Sequence, residues 1–152
     1  MFTKGNKGFT LVEIMIVVAI IALLAAIAIP NLLRTRLQAN ESAAIAALKT
    51  VATAEISFNS ANATYVGGTL LALSTATPPY IDGTLGAGVK QGYTFVDTDL
   101  TISTFHCSAV PVTANVSGAR SFCVSEDGVV RVQLAGGAIA SRAACLALGA
   151  VQ

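Results

Sequence analysis

The spacing of apolar residues changes twice along this chain. From Phe9 to Ile29 the apolar side chains are almost continuous, 21 residues carrying a single charge, Glu13. A helix rises about 1.5 Å per residue, so this run matches the ~30 Å hydrocarbon core of a bilayer. From Asn31 to about Ala61 the sequence stays rich in helix formers. The apolar positions there thin out to Leu37, Ala44, Ile45, Leu48, Val51, Ala52 and Ile56, opposed by Asn40, Ser42, Lys49, Thr50 and Thr53. That spacing predicts an amphipathic helix with one stripe free to cover a domain. Pro30 stands at the junction, where its missing N–H predicts a kink rather than a stop. The expectation is one helix of ~50 residues, abnormally long for a compact domain unless half of it packs against other molecules.

Beyond Ser60 the pattern changes again. Asn62, Gly67, Gly68, Pro78, Pro79, Gly83, Gly86 and Gly88 mark a loop-rich stretch, with a short helical turn expected near Leu70–Ala76. Runs rich in β-branched and aromatic residues follow at Gly92–Val96, Leu100–Val110, Ser121–Val124 and Val129–Leu134. Turns fall between them at Asp97–Asp99, Asn115–Gly118 and Glu126–Gly128. Successive strands joined by short turns imply an antiparallel meander. The Ala-rich tail, Ala138–Gln152, reads as a short helix or coil. The fold class is therefore α+β: a very long N-terminal helix, kinked near Pro30, whose C-terminal half packs on a small antiparallel sheet.

Composition sharpens this picture. Hydrophobic residues make up 54% of the chain and charged residues 11%, against ~45–50% and about a quarter in soluble domains. A net charge of +1 and the lack of any basic stripe give no sign of nucleic acid contact. Met1–Gly8 holds Lys4 and Lys7 and no acid, which favours a cytoplasmic start with everything after Arg36 outside. A cleaved signal peptide is the competing reading, but the apolar run exceeds a typical h-region and no small-x-small site follows it. Within the run, Glu13 is costly, by roughly 2.5–3.5 kcal/mol on insertion scales. Its expected user is a partner that supplies positive charge. No nucleophile elbow, phosphate loop or zinc-protease motif is present in the sequence, so no enzyme activity and no cofactor are expected.

The run Gly8-Phe9-Thr10-Leu11-Val12-Glu13, behind a short basic leader and ahead of a ~20-residue apolar helix with Pro30 near its end, resembles the N-terminus of type IV pilins and type II secretion pseudopilins. The likeness is tight over about the first sixty residues and looser over the strands. It implies a cleaved leader 1–8, a transmembrane and filament-core helix 9–30, an amphipathic continuation 31–61 and a globular head 62–152. It implies a prepilin peptidase cutting between Gly8 and Phe9, N-methylation of Phe9, and subunits that wait in inner-membrane lipid before assembly machinery builds them into a homo-oligomeric helical filament. Glu13 would meet the Phe9 amine of a neighbour, a pair that gains strength in a low-dielectric core and fixes axial register. A pilus subunit serving adhesion, motility or DNA uptake, extracellular once assembled, is the favoured reading. A major pseudopilin in a periplasmic pseudopilus is the alternative.

Three cysteines remain, and the resemblance places them in an oxidising compartment. Cys107 and Cys123 sit in successive predicted strands, about equidistant from the Asn115 turn, which favours a bridge between them. A Cys123–Cys145 bridge would instead fasten the tail to the sheet, as family members often do, and sequence does not choose among the three pairings. Asp97/Asp99 and Glu126/Asp127 are read as turn residues rather than a calcium site. His106 beside Cys107 is too small a set for zinc, so no metal site is expected.

Overall fold

The structure, a computed structural model, describes residues 8–151. The chain divides into two compact units, 1–35 and 36–152. Helix α1 (Leu11–Asn62) contains Pro30 and supplies elements to both. The second unit adds three short helices, α2 (Leu70–Thr75), α3 (Gly83–Gly86) and α4 (Arg142–Leu146), whose first turns are capped by the side chains of Thr69, Asp82 and Ser141. Six strands complete it: β1 (Val89–Lys90), β2 (Tyr93–Thr98), β3 (His106–Pro111), β4 (Ser121–Ser125), β5 (Arg131–Gln133) and β6 (Gly149–Ala150). They pair in chain order, every neighbour antiparallel. A very long N-terminal helix followed by a small antiparallel meander is the α+β arrangement expected from the sequence.

Two differences have local causes. The predicted strand from Leu100 starts only at His106. Thr101 and Thr104 close a turn on each other, and Tyr65 donates its N–H to the Thr101 carbonyl at 3.1 Å, so this backbone is satisfied outside the sheet. Strands β1 and β6 are two residues each, too short to show a period-two pattern.

The core forms where the second half of α1 meets one face of the sheet. Its buried stripe reads Glu41, Ala44, Leu48, Val51 and Glu55, steps of three and four, widened by Ala47, Ala52 and Ala54. It packs with Tyr93, Phe95, Phe105, Phe122 and Val124, all at most 3% exposed. Ile56, expected on the stripe, is 45% exposed. Two glutamates occupy its ends instead.

These two carboxylates have opposite surroundings. Glu41 accepts from the backbone N–H of Ala119 and of Arg120 through one oxygen and from the Arg120 guanidinium through the other, at 2.6–3.1 Å. Burial pushes its pKa up, but the Arg120 hydrogen bond, the Ala119 amide and the Arg120 charge together outweigh burial and hold it below the usual range. Beside it Asn40 donates to the Ser117 carbonyl at 2.8 Å. The loop between β3 and β4 is thus latched to the helix at two adjacent residues. Gly118 sits in that loop where a Cβ would fall 2.0 Å from the Tyr93 hydroxyl, and that hydroxyl donates to the Arg120 carbonyl. Glu55, by contrast, is fully buried and neither oxygen has a hydrogen-bond partner. Burial first, and the charge of Asp97 second, raise its pKa to about 8.

The cysteine pairing differs from the expected one. In the β3–β4 register Cys107 lies opposite Val124 and Cys123 opposite Ser108. A one-residue offset in a period-two strand sends the two sulfurs to opposite faces. Cys107 points into the helix-side core and is a free, buried thiol. Cys123 bonds Cys145 of α4 across 6.0 Å between Cα atoms. The tail is held further by Arg142, whose N–H donates to Asp99 at 2.7 Å and whose guanidinium pairs with Glu126. Val151 donates its N–H to the Val130 carbonyl.

Two predictions follow from these contacts. The folded chain keeps a proton on Glu55 that the unfolded chain loses above pH ~4.5, so stability falls as pH rises from about 4.5 to about 8. Glu55→Gln is expected to flatten that slope and to stabilise the head at pH 8 by a few kcal/mol. Denaturation midpoints measured across this window check it, and an unchanged slope in the variant contradicts it. Cys145→Ala opens a loop closed over 22 positions and is expected to cost about 3 kcal/mol. Cys107→Ser should leave the Cys123–Cys145 peptide linkage intact in a non-reducing digest.

Candidate functional site

The first unit carries apolar side chains that nothing among the described residues covers. Phe9 is 85% exposed, and the large hydrophobics from Leu11 to Leu33 are all exposed. This stretch of α1 is long and apolar enough to cross a membrane, and none of its most apolar window is buried. Among the described residues, then, the most extensive unsatisfied feature is an apolar surface rather than a cleft. Arg34 and Arg36 stand exposed at its far end. Lys4 and Lys7, the cations expected on the near side, lie outside the described residues.

Sequence-predicted residues cluster at the near end. Gly8 is exposed, and a Cβ built on it meets nothing within 4 Å. Packing within the chain therefore places no demand for glycine there. Phe9 precedes the helix with its ring in the open. Glu13 lies in the first turn of α1. Its Oε2 accepts from the Thr10 N–H at 2.8 Å and from the Thr10 hydroxyl at 2.7 Å, while the Glu13 N–H donates to Thr10 Oγ1 at 3.2 Å. This reciprocal arrangement is a capping box, which satisfies two donors that a helix start leaves open.

Thr10 was not singled out by the sequence reading, although the signal is plain: Thr10-Leu11-Val12-Glu13 is the S/T-x-x-E spacing. Glu13 therefore has a local user as well as the expected external one. Both hydrogen bonds go to a single oxygen, and among the described residues Oε1 has no donor. An amine formed at Phe9 would begin one residue away from the amide that Glu13 already holds. Pro30 sits inside the helix, where it removes the N–H that would otherwise bond the carbonyl of Ala26.

The remaining acidic groups are engaged elsewhere. Asp97 accepts the Leu70 N–H, Asp99 the Arg142 N–H, and Glu126 and Asp127 pair with Arg142 and Arg131. Each thus has at least one oxygen engaged at a turn or a helix start.

Comparison with known proteins bears on this N-terminal segment. The family model described as the prokaryotic N-terminal methylation motif matches residues 3–29. The chain is 53% identical over 57 residues to the type IV major pilin protein PilA of Myxococcus xanthus, covering 38% of this chain and 26% of that protein. It is 56% identical over 45 residues to the type IV wide pilus major component PilA4 of Thermus thermophilus, covering 30% of this chain and 34% of that protein. A fimbrial protein of Pseudomonas aeruginosa is 75% identical over 28 residues, 18% of each chain. The matched segments thus span about a fifth to a third of the length of these curated relatives.

Proposed function

By its N-terminal segment this chain belongs to the type IV pilin superfamily, and on that premise we propose that it is a structural subunit of a type IV pilus filament rather than an enzyme. A prepilin peptidase removes residues 1–8 by cutting after Gly8, and Phe9 becomes the N-methylated first residue. The precursor waits in the inner membrane with residues 9–30 in lipid, and assembly machinery extracts it into the filament. The apolar helices then pack on one another, and the heads, from residue 62 on, form the outer surface with the amphipathic stretch 31–61 between. Adhesion, motility or DNA uptake is the use this reading assigns to the assembled fibre.

The observation that carries the reading is an apolar helix left without cover, with one carboxylate four residues beyond Phe9. Apolar surface of this extent is stable only in lipid or against other copies. In lipid Glu13 keeps the Thr10 cap but remains expensive. In a filament its second oxygen takes the cationic amine of a neighbouring Phe9, and a hydrogen-bonded charge pair in low dielectric is far stronger than one at a surface. Because only one stagger brings the two together, the pair also sets register.

A pair of variants separates the cap from the charge. Glu13→Gln keeps the capping-box geometry but removes the charge, whereas Thr10→Ala removes the cap and keeps the charge. The charge-pairing role predicts that Glu13→Gln and Glu13→Ala insert in the membrane normally yet give sheared fibres in at least about tenfold lower yield, the effect of ~1.4 kcal/mol. Thr10→Ala should assemble at near wild-type yield. Abundant fibres from Glu13→Gln would remove the pairing role. Replacement of Gly8 by a bulky residue should leave uncut precursor, seen as a slower band on a gel, since the open surroundings of Gly8 give the substitution no cause to disturb folding. Recovery of the protein only with secretion machinery, and never in long sheared fibres, would favour the pseudopilus instead.

A further inference from the structure

The sheet has a second buried face that the helix does not touch. On β3 and β4, Cys107, Ala109, Phe122 and Val124 point toward α1. The alternate residues point away, and the register places His106 beside Ser125 and Ser108 beside Cys123. The segment after β5 covers this face with Ile139, Cys145 and Leu148. Beneath that cover His106, Ser121, Cys123, Ser125 and Cys145 are all fully buried. Three of their polar atoms have no hydrogen-bond partner: His106 Nε2, Ser121 Oγ and Ser125 Oγ. Unpartnered polar atoms are rare in folded interiors, and two of these, on His106 and Ser125, belong to directly paired residues.

The donors gathered there are of a definite chemical kind. A ring nitrogen of His106 and the sulfurs of Cys123 and Cys145 lie within 4.8 Å of one another. Nδ1 of that ring is 2.8 Å from Thr98 Oγ1. With Nδ1–H donating to Thr98, the lone pair of Nε2 is left free on the unpartnered side. A hydrogen-bonded Nδ1 and a free Nε2 is how metal-binding imidazoles are oriented. Two cysteine sulfurs and one imidazole are the borderline-soft set that zinc takes tetrahedrally. Zinc–sulfur bonds of ~2.3 Å put two ligand sulfurs roughly 3.5–4 Å apart.

We propose that in its dithiol state, before the Cys123–Cys145 bond closes, the head binds one Zn²⁺ through Cys123, Cys145 and His106. Binding deprotonates both thiols, so one zinc ion enters as two protons leave, and the neutral imidazole fills the third position. Ser125, directly across from His106, is placed to offer its hydroxyl or a hydrogen-bonded water at the fourth. Closing the disulfide removes two electrons from the two sulfurs. A disulfide-bearing oxidant takes them up with two protons and becomes a dithiol, and the zinc is released. Metal and disulfide are therefore alternative occupants of one pocket. Cys107, on the other face, belongs to neither, so zinc holds the two sulfurs that must pair while leaving out the third.

The test uses the full chain in detergent, metal-free and reduced with a phosphine under anaerobic conditions. Co²⁺ is titrated in as the spectroscopic probe and then displaced by Zn²⁺ against a chromogenic chelator. One Co²⁺ per chain is expected, with a tetrahedral visible spectrum and a thiolate charge-transfer band. Zinc should displace it and should slow disulfide closure by oxidised glutathione. His106→Gln should weaken zinc binding by at least about tenfold, and Cys107→Ser should not change it. Recovery of the Cys123–Cys145 linkage after oxidation of His106→Gln shows that this variant folds. No tetrahedral cobalt spectrum in the reduced wild-type chain overturns the proposal. So does binding that depends on Cys107, binding that is undiminished in His106→Gln, or equal binding by the oxidised chain.

Discussion

Apolar surface that a chain cannot bury within itself has to be buried by something else, and residues 9–33 of this protein carry a great deal of it. Their side chains encircle the helix, so no single packing face would be enough. Lipid or the apolar faces of other chains are environments that meet the requirement. The helix start is partly closed by its own side chains, since Thr10 and Glu13 satisfy two of its open donors. The one charge it carries costs free energy in lipid and can recover it only opposite a cation.

Within the head, the same helix poses the problem on a smaller scale. Its stripe is buried at both ends by a glutamate, and the two solve burial differently. Glu41 draws two amides and a guanidinium from the β3–β4 loop and so converts a buried charge into a latch. Glu55 finds no donor and keeps its proton instead. Breaking a satisfied buried charge and removing an unsatisfied one have opposite signs. The two ends of one stripe therefore respond oppositely to substitution and to pH.

The sheet separates two chemistries by period-two alternation. Aromatic and aliphatic side chains face the helix, while serines, His106 and Cys123 face the tail. The tail is short and poor in large apolar residues, so it cannot hold its place by burial alone. A disulfide, the Asp99 and Glu126 contacts to Arg142, and the backbone bond from Val151 take over that role. This is why the C-terminal segment, featureless by composition, ends up covering a buried polar face.

The long helix, its change from continuous to one-sided apolar character and the antiparallel meander were legible in the residues themselves, because each rests on local periodicity or on neighbours in sequence. The capping box has a local signature too, the spacing Thr10-x-x-Glu13. The cysteine pairing was not legible. Counting from the Asn115 turn gave Cys107 and Cys123 the right strands, but a shift of one residue in register reverses which face a side chain takes. The same holds for Glu41 and Glu55. Their spacing put them on the stripe, yet whether each met a donor depended on a loop some eighty residues away in one case and on nothing in the other. The sequence by itself determined which segments are helix or strand and which surface must be covered. Only the tertiary structure decided which polar groups meet, because strand register and loop closure join residues whose separation along the chain carries no local signal.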